Sequence, residues 1–388
     1  MSPRNWLPGD PVPKFTARAS NSPRFHFDST AGRYIVLTFF GSASIAKYRK
    51  VVAHIAERRA LFDDERAAWF GVSIDPQDEA LPRVQQIVPG IRFFWDFDRA
   101  ISRLYDAIAD DGPPEAGIKY RAFTLLLDPM LRVLAFIPIL EAEQHNRDFD
   151  AIMAALPPIE QHAGVPMHAP VLIVPRVFEP GFCRELIALY EKQGGSDSGF
   201  MREVDGKTVG MLDDRFKKRK DFNFDHGAEF EALRQSIRDR VTRRLVPEIA
   251  KAFQFKATRM ERYVIACYES ESGGFFRAHR DNTTKGTAHR RFACTLNLNT
   301  GDYDGGELRF AEFGARTYRA PLGGAVVFSC SLLHEATPVV KGRRYAFLPF
   351  LYDEAAAKVR EENLGFIAPE VVDANKVGAE TAQDVAAE

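Results

Sequence analysis

The chain has 388 residues, 45% of them hydrophobic and 27% charged, with a formal net charge of −1. That is the balance of an ordinary globular protein long enough for two domains, and it calls for neither a nucleic-acid nor a membrane-surface partner. No apolar run is long enough to span a bilayer and the opening MSPRNWLPGD lacks the apolar core of a secretory signal, so a cytoplasmic location is expected.

From about Leu7 to Ala155, strand and helix signals alternate. RYIVLTFF reads as a buried strand, KYRKVVAHIAERRALF as an amphipathic helix and AAWFGVSID as a second strand; AFTLLLDPMLRVLAFIP reads as a strand pair turning at Asp128-Pro129. This predicts an α/β layer around a mostly parallel sheet. The succession of GDPVPKFTA, strand, turn, helix, GVSIDP and YRAFTLLLDP resembles the peroxiredoxin or thioredoxin-like domain. The resemblance implies a peroxidatic cysteine in the turn after RYIVLTFF, where this chain has GSASIAKYRK, with Ser42 and Ser44 and no thiol. Serine ionises far less than a tuned thiol and cannot run a sulfenic acid cycle, so no peroxidase activity is expected of residues 1–155. A scaffold, a homodimer contact or a platform recruiting a protein substrate are the roles left. Residues 156–168, within LPPIEQHAGVPMHAP, read as a linker.

The second domain is expected over 169–356. In FFRAHRDN, His279 and Asp281 stand two apart, a spacing that puts both side chains on one face of a strand while Arg280 points away. His334, in SLLHEATP, must arrive from a distant strand. Two imidazoles and one carboxylate suit one face of an octahedral iron(II), leaving neighbouring positions open, although zinc also accepts such ligands. Between them, RFACTLNLNT and GAVVFSCSLL read as strands, and GDYDGGEL and APLGG as turns, a pattern fitting a small antiparallel barrel. Arg344, in KGRRYAF, falls on the next strand, where its planar fork would pair with a carboxylate of an acidic co-substrate; that argues against zinc. Singly each of these residues has a bland reading as a surface histidine, a turn aspartate or a strand cap.

Together with APVLIVPRVFEPGFCRELIALYE, ERYVIACYES and TLNLNTGDYDGGELRF in order, these segments resemble the iron(II)- and 2-oxoglutarate-dependent dioxygenases, in their prolyl 4-hydroxylase-like branch, from about Ala169 to Asp353. The resemblance implies a double-stranded β-helix (jelly-roll) with flanking helices. It makes His279, Asp281 and His334 the iron ligands and Arg344 the partner of the distal carboxylate of 2-oxoglutarate. Tyr268 matches the tyrosine that hydrogen-bonds the co-substrate, with Tyr263 as the alternative. Asn297 and Asn299 match the strand flanking it. Dioxygen is implied as the second co-substrate, with ascorbate as a further candidate. The expected reaction is hydroxylation of an unactivated C–H bond of a peptidyl, protein or small-molecule substrate, releasing succinate and CO2. A low-turnover sensing or protein-binding module on the same metal core is the alternative.

The remaining features have plainer readings. His289 and the basic run RFKKRK (215–220) are expected to be solvated, and Gly305 and Gly306 to form a tight turn. Cys183, Cys267, Cys294 and Cys330 form no CxxC pair and read as buried free thiols. Residues 357–388 are expected to be a polar tail with a disordered end.

Overall fold

The computed structural model describes residues 5–108 and 119–373 and divides into two units, Met1–Ala169 with Ala311–Ala315, and Pro170–Phe310 with Arg316–Glu388. Leu156 and Ile159 pack against the core of the first unit, so the stretch expected as linker begins as part of that unit.

The first unit is a seven-stranded sheet of β1 (Thr16–Ala19), β2 (Ser22–His26), β3 (Tyr34–Gly41), β4 (Ala67–Ser73), β5 (Ile91–Trp95), β6 (Phe123–Leu127) and β7 (Val133–Pro138), ordered β2-β1-β5-β4-β3-β6-β7. Every residue of β3 and β4 is buried, which is why both read as continuous apolar runs rather than alternating ones. Helices Ala46–Glu57 and Ala142–Ala155 bury Val51, Val52, Ile55, Phe149 and Met153 in one cluster with Trp69 and Tyr34. The thioredoxin-like expectation holds, but the sheet is not mostly parallel. Only β3 with β4 and β4 with β5 run parallel; β6 pairs antiparallel with both β3 and β7. The short turn at Asp128-Pro129 returns the chain at once, and so brief a connection permits only antiparallel pairing.

The turn after β3 is occupied by a polar network. Ser42 Oγ donates to Asp75 Oδ2 at 2.6 Å and lies 2.7 Å from Ser44 Oγ, while Arg83 Nη1 donates to the same Asp75 oxygen at 2.9 Å. All four cysteines lie buried in the second unit as free thiols.

The second unit carries the expected jelly-roll-type sheets. The larger runs, in pairing order, Arg259–Glu261, Phe350–Tyr352, Phe292–Asn297, Arg343–Phe347, Val264–Glu269, Lys220–Asn223 and Ser196–Asp197, with Ala325–Ser329 and Leu172–Val174 branching from Phe292–Asn297. The smaller runs Lys217–Lys218, Phe275–His279, His334–Ala336, Leu308–Arg309 and Thr317–Tyr318. Alternation along Val264–Glu269 divides the interior. Ile265 and Cys267 join Phe182, Leu186, Ile237, Val241 and Ile249, from helices Pro180–Gln193, Glu231–Arg244 and Val246–Phe253, in one cluster. Val264, Ala266 and Tyr268 face the other way and pack with Phe276 and Ala336 of the smaller sheet.

Residues after Asp353 are more ordered than expected. Asp353 caps helix Glu354–Asn363 by accepting from Ala356 N at 2.9 Å, and strand Ile367–Asp373 runs parallel to Lys207–Leu212 beside Phe200–Val204. Residues 374–388, where the disordered end was expected, lie outside the described residues.

Candidate metal and co-substrate site

His279 ends strand Phe275–His279 and His334 begins His334–Ala336; the strands pair antiparallel with His279 directly opposite His334. Asp281 lies just beyond the strand end, in a turn anchored by Asp281 N donating to Cys330 O at 3.0 Å. The three side chains offer donor atoms all within 4.8 Å of one another. His279 Nε2 is 3.5 Å from Asp281 Oδ1, and His334 Nε2 is 3.4 Å from Asp281 Oδ2. Each Nδ1 bonds a main-chain carbonyl, that of Arg277 at 2.7 Å and that of Leu332 at 3.1 Å. A carbonyl only accepts, so Nδ1 carries the proton, and in the neutral ring Nε2 presents its lone pair beside the carboxylate. Burial pushes the His334 pKa down to about 4, which keeps that ring neutral.

The rings are walled by aromatics. Phe276 stacks on His279 at 3.6 Å between centroids, and Phe328 lies 4.5 Å from His334. An N,N,O donor set with both imidazoles oriented by carbonyls and an apolar surround fits ferrous iron.

Arg344 lies on the larger sheet opposite Tyr268, with its Cζ 5.0 Å from the tyrosine ring centroid. It is 2% exposed, its Nε has no hydrogen-bond partner, and no carboxylate among the described residues pairs with it. A buried guanidinium without a counter-charge is costly, and the anion that would satisfy it has to come from a ligand. The GGE turn makes room for it. Gly306 has φ +66°, and a Cβ there would lie 2.8 Å from Arg344 Cδ and 2.8 Å from Val339 Cγ2.

The other residues named from sequence separate by strand parity. Tyr268 is on the Arg344 face, whereas Tyr263 packs against Phe224 and Phe347 on the opposite face and accepts from Arg238 Nη1 at 3.2 Å. Asn297 lies across from Ala346 and donates to Ala320 O at 3.0 Å, leaving its buried Oδ1 without a partner. Asn299 spends its amide on main chain, donating to Arg343 O at 2.8 Å and accepting from Tyr345 N at 2.9 Å.

Two expectations of solvated charge do not hold. His289 is 2% exposed, with Nε2 bonded to Glu261 Oε2 at 2.9 Å; Arg290 Nε donates to Glu261 Oε1 at 2.8 Å. In the basic run, Lys217 and Arg219 are buried and only their neighbours reach solvent. Lys217 Nζ donates to Ser198 Oγ at 2.7 Å, and Arg219 pairs with Asp221 at 2.6 Å. The missed signal is the alternation: Lys217, Arg219 and Asp221 stand two apart along the chain and all three reach Ser198 Oγ, and a carboxylate there invites the cations inward.

Residues 263–352 match the family model described as 2OG-Fe(II) oxygenase superfamily, and residues 8–133 match the AhpC/TSA family. A PKHD-type hydroxylase of Cupriavidus metallidurans is 41% identical over 85 residues, covering 20% of this chain and 37% of that protein. One from Synechococcus sp. is 35% identical over 89 residues, covering 21% and 39%. The chain thus spans well under half the length of these relatives. Among solved structures, a prolyl hydroxylase from Trichoplax adhaerens in complex with a hypoxia inducible factor peptide fragment covers 57% of this chain and 97% of its own at 17% identity, TM-score 0.37. Xanthomonas campestris peroxiredoxin Q covers 38% and 91% at 21% identity, TM-score 0.31. The segment that matches the 2OG-Fe(II) oxygenase superfamily model, 263–352, contains all three clustered donors and Arg344.

Proposed function

We propose that this protein is an iron(II)- and 2-oxoglutarate-dependent hydroxylase of the prolyl hydroxylase type, acting on a peptidyl or protein side chain, with a small molecule as the other candidate substrate. The observation that carries the reading is the pairing of an N,N,O donor triad with a buried guanidinium that has no internal counter-charge. Bound iron and 2-oxoglutarate would supply the oxidising power, with dioxygen consumed and succinate and CO2 released, as in the family.

The chain's own residues do the rest. His279, Asp281 and His334 hold the metal, their orientation set by the Arg277 and Leu332 carbonyls and by the Cys330 carbonyl that accepts from Asp281 N. Arg344 would hold the distal carboxylate, for which its planar fork is suited, with Tyr268 beside it and Asn297 on the flanking strand. Phe276, Phe310 and Phe328 exclude water around the imidazoles. No side chain is required as a general base.

The AhpC/TSA segment is assigned a scaffolding or dimer-forming role without thiol chemistry. No helix among the described residues is long and apolar enough to cross a membrane, and the cytoplasm is the proposed location. The test compares cell extract treated with wild-type protein and with His279→Ala, supplied with iron(II), 2-oxoglutarate and oxygen. A peptide or metabolite that gains one oxygen atom only with the wild type supports the proposal. Absence of both such a product and stoichiometric succinate refutes it.

A further inference from the structure

Arg219 has no part in that chemistry, yet it is 8% exposed and lies inside the second unit. Its guanidinium grips Asp221 with two bonds, Nε to Oδ1 at 2.7 Å and Nη2 to Oδ2 at 2.6 Å. Asp221 Oδ2 also accepts from Ser198 Oγ at 2.5 Å. The remaining nitrogen, Nη1, donates to the Tyr268 hydroxyl at 3.2 Å.

A phenol both donates and accepts, whereas a guanidinium only donates. The Tyr268 oxygen therefore accepts from Arg219 and its own proton must point elsewhere. Among the described residues nothing receives that proton. Tyr268 stands directly across the strand pair from Arg344, on the site-facing side of the larger sheet. Two donors, one hydroxyl and one unpaired guanidinium, are thus side by side with no internal acceptor.

We propose that Arg219 is a positioning residue: locked by Asp221, it turns the Tyr268 hydroxyl proton toward the carboxylate held by Arg344. The co-substrate then meets donors already aimed, and little orientational freedom is lost on binding. The inference rests on 2-oxoglutarate being the co-substrate.

The test is a double-mutant cycle on the full chain loaded with Mn(II). 2-Oxoglutarate affinity is read by isothermal titration calorimetry for Arg219→Gln, Arg219→Lys, Tyr268→Phe and the two combinations. Tyr268→Phe is expected to weaken binding roughly tenfold to a hundredfold, the range for a hydrogen bond to a charged acceptor. Arg219→Gln is expected to lose a comparable factor alone but little more once Tyr268 is phenylalanine. Arg219→Lys keeps the charge without the rigid fork and should fall between. Equal losses in both tyrosine and phenylalanine backgrounds would mean that Arg219 acts only structurally, and would overturn the proposal, as would unchanged affinity in Tyr268→Phe. Should Arg219→Gln fail to fold by circular dichroism, the lysine arm completes the cycle. A wild-type protein that binds Mn(II) but no 2-oxoglutarate sinks the co-substrate reading, and this inference with it; wild-type binding without coupling sinks only the inference.

Discussion

Replacing Arg344 by methionine should move two properties in opposite directions. The guanidinium is 2% exposed and unpaired, so the ligand-free fold carries a desolvation penalty of several kcal/mol for it. The substitution also forfeits the contact with the Tyr268 ring, 5.0 Å away. That contact is worth about 2 kcal/mol when desolvated. The net expectation is a gain of roughly 1–2 kcal/mol, since exchanging buried charge for an apolar side chain of similar volume is often stabilising on that scale. At about 2–4 °C per kcal/mol for a unit of this size, the ligand-free transition should rise by roughly 2–8 °C. Binding responds the other way. Losing a two-pronged pair with a carboxylate costs about 2–5 kcal/mol, so affinity should fall by roughly 30-fold to several-thousand-fold. The assay is differential scanning calorimetry of Mn(II)-loaded protein with and without 2-oxoglutarate. At a concentration one hundred times its dissociation constant, the wild type should gain about 2.7 kcal/mol, and Arg344→Met at that concentration less than about 1 kcal/mol. A ligand-free Arg344→Met protein several degrees less stable than wild type, or one stabilised equally by 2-oxoglutarate, would refute the reasoning.

Other substitutions probe neighbouring parts of the same argument. Gly306→Ala places a Cβ 2.8 Å from Arg344 Cδ at φ +66°, so it should destabilise by about 1–3 kcal/mol in urea unfolding and weaken 2-oxoglutarate binding by displacing the guanidinium. An alanine variant of unchanged stability and affinity would show that the turn has no hold on Arg344. Glu261 carries pH-dependent stability: burial would raise its pKa, but His289 and Arg290 hold it at about 2, below the ordinary 4.5. A depressed carboxylate stabilises above its unfolded pKa and loses that contribution as pH falls through the folded value, so about 3 kcal/mol present at neutral pH should fade between about pH 4.5 and 2. The stability gap between wild type and Glu261→Gln should narrow over that window in urea titrations; a constant gap would contradict the assignment. Burial raises the thiol pKa of Cys183 and Cys267 to about 11 and raises those of Cys294 and Cys330 as well. A disulfide-exchange reagent should therefore label essentially no thiol in the native protein and all four after denaturation, and thiol-dependent peroxide consumption should be absent.

The local sequence alone determined a good deal. A spacing of two in His279-Arg280-Asp281, the later His334 and Arg344, and the apolar runs of β3 and β4 are one-dimensional patterns whose physical cause is local, namely strand alternation or burial of both faces. The absence of a thiol in the turn after β3 is likewise read directly from residues. Other questions were decided by pairing between distant segments. Tyr263 and Tyr268 could not be told apart until the register of Val264–Glu269 against Arg343–Phe347 put one in the helix-backed core and the other opposite Arg344. The strand order that makes most of the first sheet's pairings antiparallel, and the addition of Ile367–Asp373 to a sheet more than 150 residues earlier in the chain, are also long-range pairings. Charge is the clearest case. Lys217 and His289 read as solvated because isolated charges belong in water, and only folding brought Ser198 to the one and Glu261 to the other, close enough to bury them. The same folding left Arg344 buried without a partner, and that unmet charge is a property of the tertiary structure that no count of residues along the chain contains.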